Sequence, residues 1–173
     1  GSWTRELIGN MRERVRGVVL RTAVIVGHPG EGKRDFNELL EFVREARLER
    51  LGAFKYSEEE GTYGAENFKD SISSKTKQER LDALMTLQSE ISLAFNQSRV
   101  GTEVKVIVDE FVDGVFVCRS EFESPEVDGE ILVRYDGAAL DDVDPYSLIG
   151  EFMMVKITGA DEYDLIAEPL EIL

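Results

Sequence analysis

The sequence predicts a chain in two parts, an α/β part followed by an all-β part built as a small antiparallel five-stranded barrel. Three observations predict this. Apolar residues in the first part recur at helical spacing between short β-branched runs, whereas beyond Val100-Gly101 they alternate. The order helix, strand, helix, strand in the first part implies parallel β/α units. The charge also breaks at the same place: residues 1–98 hold 15 Lys/Arg and 16 Asp/Glu, and residues 99–173 hold 5 and 19, in a chain of net charge −15.

Taken in order, Trp3 to Val15 reads as a helix, with Thr4 as its cap and Leu7, Ile8, Met11 and Val15 on one face. Val18 to Val26, nearly all β-branched, reads as a strand buried on both faces. Gly27 to Gly32 is a glycine-rich turn, and Lys33 to Arg50 a second helix with a wide apolar stripe from Phe36 to Leu48. Leu51 to Tyr56 is a second strand, Glu58 to Ser74 a loop, and Lys75 to Gln97 one long amphipathic helix. The barrel strands are then Thr102 to Phe111, Val115 to Glu121 after the Asp113-Gly114 turn, Glu130 to Tyr135, Phe152 to Thr158 and Asp164 to Glu168. The expected organisation is 1–74 for the β/α part, 75–98 for the connecting helix and 99–173 for the barrel.

Composition narrows the chemistry. The single cysteine, Cys118, can neither close an intrachain disulfide nor hold an iron–sulfur cluster, and mid-strand it reads as a small core residue. No apolar run approaches the ~20 residues of a membrane span and no leader pattern is visible, so a cytoplasmic location is expected. Acidic charge of this size repels phosphate backbones and anionic lipid and favours basic partners. Gly27-His28-Pro29-Gly30-Glu31-Gly32-Lys33 fits the spacing of a nucleoside-triphosphate loop between strand and helix. Position 34 is nevertheless Arg where a magnesium-binding Ser or Thr belongs, and Pro29 removes an amide from the nest. Hydrolysis of nucleotides is therefore not the expected function. His28 is assigned no chemistry, and no residue of this chain is expected to be catalytic or a metal ligand.

A second pattern covers the same turn and much more. Leu20-Arg21-Thr22-Ala23-Val24-Ile25-Val26-Gly27-His28-Pro29-Gly30-Glu31, with Asp35-Phe36 and Leu39 after it, resembles the strand and loop late in the barrel of radical S-adenosylmethionine methylthiotransferases. Gly52-Ala53-Phe54-Lys55-Tyr56-Ser57 through Thr62 is similar to that family's next strand and loop, and Lys77 with Glu79-Arg80-Leu81, Met85 and Gln88 to its connecting helix. The final barrel resembles a TRAM domain, an oligonucleotide-fold-like module. Within it, Arg119 to Gly129 and Gly159 to Leu165 resemble the branch that modifies an aspartate on the twelfth protein of the small ribosomal subunit. In contrast to that family, Gly32-Lys33-Arg34 stands where Thr followed by acidic residues is more usual.

The resemblance implies a fold class of α/β plus all-β, with the C-terminal β/α units of a partial TIM-like radical barrel ahead of the OB-like TRAM barrel. It implies S-adenosylmethionine and two 4Fe–4S clusters in the full-length enzyme. The three-cysteine cluster motif is absent here, so the chain reads as the C-terminal part of such an enzyme, inactive alone and holding none of these cofactors stably. It points to Arg21, Gly27, Gly30, Glu31 and Tyr56 as part of the cofactor wall. The acidic sign of the barrel makes RNA an unlikely ligand and a basic ribosomal protein the expected partner, docked by Glu121, Glu123, Glu126, Asp128 and Glu130. A transfer-RNA methylthiotransferase, or a stand-alone protein-binding module without enzymatic activity, are the alternative readings.

Overall fold

The computed structural model describes residues 1–137, 140 and 143–173, divided into two compact units, Gly1–Ile91 and Ser92–Leu173. In the first unit, helix α1 (Ser2–Arg14) starts from Gly1 rather than Thr4. Strand β1 (Arg21–Val26) leads through the glycine turn into α2 (Lys33–Ala46), and β2 (Arg50–Lys55) returns parallel to β1, with Arg21 opposite Arg50 and Val26 opposite Lys55. The parallel pairing follows the sequence expectation; the burial does not. Only two strands form this sheet, so one face stays open, with Ile25 56% and Phe54 61% exposed. Val18 to Leu20 lie ahead of β1 because β2 begins only at Arg50, and Leu20 N–H instead donates to the Glu49 carboxylate at 2.9 Å.

Helix α2 opens with Asp35 accepting the Gly32 N–H at 2.7 Å, half of a capping box. It stops at Arg47, which adopts the left-handed conformation (φ +43), so the helix ends short of the expected Arg50. The expected loop contains one helical turn, α3 (Tyr63–Asn67), capped by Thr62. The long helix α4 (Ser74–Arg99) then crosses from the first unit into the second; Ser73 Oγ accepts the Thr76 N–H at its start. The first unit's core gathers Val26, Phe36, Val43, Leu48, Leu51, Leu84, Leu87 and Ile91.

The second unit is a closed barrel of β3 (Glu103–Val112), β4 (Val115–Arg119), β5 (Ile131–Arg134), β6 (Phe152–Ala160) and β7 (Leu165–Ile172), joined in the order β3-β4-β5-β7-β6. Asp113 and Gly114 both take positive φ, +51 and +79, the backbone of a type I′ hairpin. Four of the five pairings are antiparallel, but β5 and β7 run parallel, which corrects the all-antiparallel expectation. Strand β7 continues past Pro169 because beyond Ala167 it pairs with β6 alone, where a missing N–H is tolerated. Inward residues Val106, Val108, Phe116, Cys118, Ile131, Val133, Met153, Val155, Ile157 and Leu165 form the core. Among the described residues no helix is long and apolar enough to cross a membrane.

Candidate functional site

At the C-terminal ends of β1 and β2 the first unit builds a loop held from within. The Glu31 carboxylate accepts the Gly27 N–H at 3.0 Å and the Arg80 guanidinium at 2.6 Å, and Arg80 also donates to the Glu31 carbonyl. Three residues before Arg80 on the same face of α4, Lys77 donates to the Tyr56 carbonyl at 3.0 Å and to Asp70 at 2.5 Å. Its ammonium stands 5.1 Å from the centre of the Tyr56 ring, which His28 meets edge-on. The Lys77 hydrogen bond holds the Asp70 carboxyl below its ordinary value.

Of the residues expected to line a cofactor, Gly27, Gly30, Glu31 and Tyr56 meet here. Arg21 does not: it begins β1, five residues and roughly 16 Å of strand away from Val26. Gly27 (φ +78) is needed because a Cβ would collide with the Lys77 side chain, so its close approach is to Lys77. Gly30 (φ +91) has open space where a Cβ would stand. The Tyr56 hydroxyl is buried with no hydrogen-bond partner. Gly30 is thus the one of these four positions whose surroundings are open, while Gly27, Glu31 and Tyr56 are engaged by Lys77 and Arg80. The Glu31 carboxylate takes up the Gly27 amide. Lys77 and Arg80 were missed as site builders, although their spacing of three on one helix was the available signal.

In the second unit, Ser120 to Gly129 is an irregular connection between β4 and β5, not an alternating strand. Glu126, Asp128 and Glu130 line a cleft of about 220 Å³ together with Asp109 and Glu110. Glu121, Glu126 and Glu130 are exposed, whereas Asp128 accepts the Ser124 N–H at 2.7 Å. Glu123 departs from expectation. It is only 6% exposed and is engaged by Arg99 at 2.5 Å and by the Ser120 N–H and hydroxyl, so it faces inward and leaves the docking set. Burial alone would raise its pKa; the Arg99 charge and hydrogen bond, with those of Ser120, outweigh this and hold the carboxyl below its ordinary value. Phe95 and Phe122 lie 5.7 and 5.3 Å from the same guanidinium. Cys118 is buried in the barrel core, and desolvation, with the Asp109 charge, pushes its thiol up to about 12. No three His, Cys, Asp or Glu side chains among the described residues converge as a metal site would require.

Residues 100–170, which contain the closed five-stranded barrel, match the TRAM domain family. Beyond the barrel, the chain is 50% identical over 167 residues, 96% of its length, to a protein of Phocaeicola vulgatus, and 48% identical over 165 residues to one of Bacteroides fragilis. A third relative, from Cytophaga hutchinsonii, is 42% identical over 165 residues. All three bear the name ribosomal protein uS12 methylthiotransferase RimO, and the chain is similar to each of them along nearly its whole length. The chain spans 37% of the length of the first two relatives and 36% of the third.

Proposed function

We propose that this chain is the C-terminal part of a uS12 methylthiotransferase and that its acidic TRAM barrel docks the basic ribosomal protein. The observation that carries the docking role is the sign of the barrel: 19 acidic against 5 basic side chains in residues 99–173, with Glu126, Asp128 and Glu130 gathered on one cleft and Glu121 exposed nearby. Such a field steers a cationic protein and opposes a phosphate backbone.

In this reading residues 1–74 are the last β/α units of the radical barrel, 75–98 the connecting helix and 99–173 the docking module. The open face of the β1–β2 sheet, with Ile25 and Phe54 outward, suits a sheet continued by further strands. The loop of Gly27, Gly30, Glu31 and Tyr56 then forms one wall for S-adenosylmethionine, which would supply the radical and the methyl group. The lone buried Cys118 leaves both clusters to the remainder of the enzyme, so the isolated chain is inactive. The test is titration with the basic ribosomal protein and, separately, with transfer RNA, at low and moderate salt. Salt-sensitive binding to the protein, lost in Glu121→Lys/Glu126→Lys/Glu130→Lys, is expected; binding unchanged by that triple reversal, or binding to RNA alone, would overturn the docking role.

A further inference from the structure

The barrel carries a second concavity, one that the acidic docking surface does not use. On the outer face of β3, Ile107 lies between Arg119 of β4 and Phe152 of β6 in a single cross-strand row. Together with Phe122 and the Lys105 stem these residues line a mainly apolar groove of about 480 Å³. Phe152 is 44% exposed, so the groove presents an aromatic face at its edge.

The charges around the groove decide what can cover it. Lys105 sits over the Phe152 ring at 4.1 Å and Arg119 is paired with Asp109 at 2.9 Å, so both cations already have a partner within the barrel. Glu121, on the rim, has no ion pair among the described residues; Glu103, at the other end, faces Lys156 across the strands without closing a salt bridge. Arg119 also borders the acidic cleft of Glu126, Asp128 and Glu130, so groove and cleft adjoin at this residue. A nucleic acid would bring phosphates against these carboxylates, and a second copy of the unit would bring like charge. We infer that the groove takes an apolar side chain of an extended peptide whose neighbouring lysines or arginines reach Glu121 and the acidic cleft. This rests on the docking role proposed above and adds the apolar anchor that pure charge steering lacks, since interface energy concentrates in buried anchors rather than in rim charges.

The experiment uses the full chain and fluorescein-labelled peptides of the form Lys-Arg-Xaa-Arg-Lys, with Xaa either Leu or Gly, read by anisotropy at moderate salt. The Leu peptide is expected to bind about tenfold more tightly than the Gly peptide, and Phe152→Ser to erase that difference while melting within a few degrees of the parent. Ile107→Ser, a second variant on the same row, should act alike. If both peptides bind equally and Phe152→Ser changes nothing, while Glu121→Lys/Glu126→Lys/Glu130→Lys still abolishes binding, the groove assignment is wrong and the acidic docking role stands. If neither the peptides nor the basic ribosomal protein bind, both fall. Displacement of the Leu peptide by oligouridine would overturn the choice of a peptide over RNA.

Discussion

Glu123 illustrates how a residue's role depends on a partner far away in the chain. Its segment carries five acidic residues from Glu121 to Glu130, which reads as a solvated face, but Arg99 at the end of α4 recruits this one glutamate into the interior. Nothing local signals that pairing, and so the inward turn was illegible. Glu123→Gln should cost about 3 kcal/mol, because it leaves a buried guanidinium without its counter-charge, and the loss is read from thermal melting of the whole chain. The pair also fixes the sign of the acid response. With its folded pKa lowered from 4.5, Glu123 contributes fully at neutral pH and loses that contribution as pH falls through its folded value. The parent should accordingly lose more melting temperature than Glu123→Gln between pH 7 and pH 3. Cys118, held at about 12, should resist alkylation at pH 8 until the barrel unfolds. At Gly27, alanine meets both positive φ and the Lys77 side chain, whereas at Gly30 it meets positive φ alone. Gly27→Ala should therefore destabilise by more than the roughly 1 kcal/mol expected of Gly30→Ala in a melting comparison.

At the level of elements the strands and long helices were legible, since period and turn residues are local properties. The Asp113-Gly114 hairpin is a clear case: two residues that tolerate positive φ sit between alternating runs. Helix α2 ran longer in the sequence pattern because Leu48 continues the apolar stripe; it ends at Arg47 in a conformation usually reserved for glycine or asparagine. The parallel pairing of β5 with β7 was hidden because it joins residues 34 apart, Ile131 to Leu165. Its backbone is unusually close where β5 begins, for a Cβ on Gly129 would fall on the Tyr163 carbonyl. Gly129→Ala should cost at least about 2 kcal/mol and loosen exchange of the β5 and β7 amides before those of β3. Asn96, wholly buried, donates to the Asp161 carbonyl at 3.0 Å and so pins α4 to the β6–β7 turn. Asn96→Ala should cost about 1–3 kcal/mol in the same measurement.

For the molecule as a whole, the division of charge was the most readable feature, because it survives any error in placing individual strands. Four of the five residues expected near a cofactor do converge, but sequence could not reveal that Gly27, Glu31 and Tyr56 are engaged by Lys77 and Arg80 of α4. Association with a cationic partner should slow as salt rises toward a Debye length of about 8 Å, and the triple acid reversal should flatten that dependence in stopped-flow measurements. The closure of the barrel has a further consequence, in time rather than space. Strand β3 needs β6, and β5 needs β7, the last strand in chain order, so no sheet edge is sealed until nearly the whole barrel segment has left the ribosome. The β3–β4–β5 meander can pair during synthesis, but its two outer edges wait open until β6 and β7 arrive. Over that interval the like charge of its many carboxylates opposes edge-to-edge pairing with a neighbouring copy.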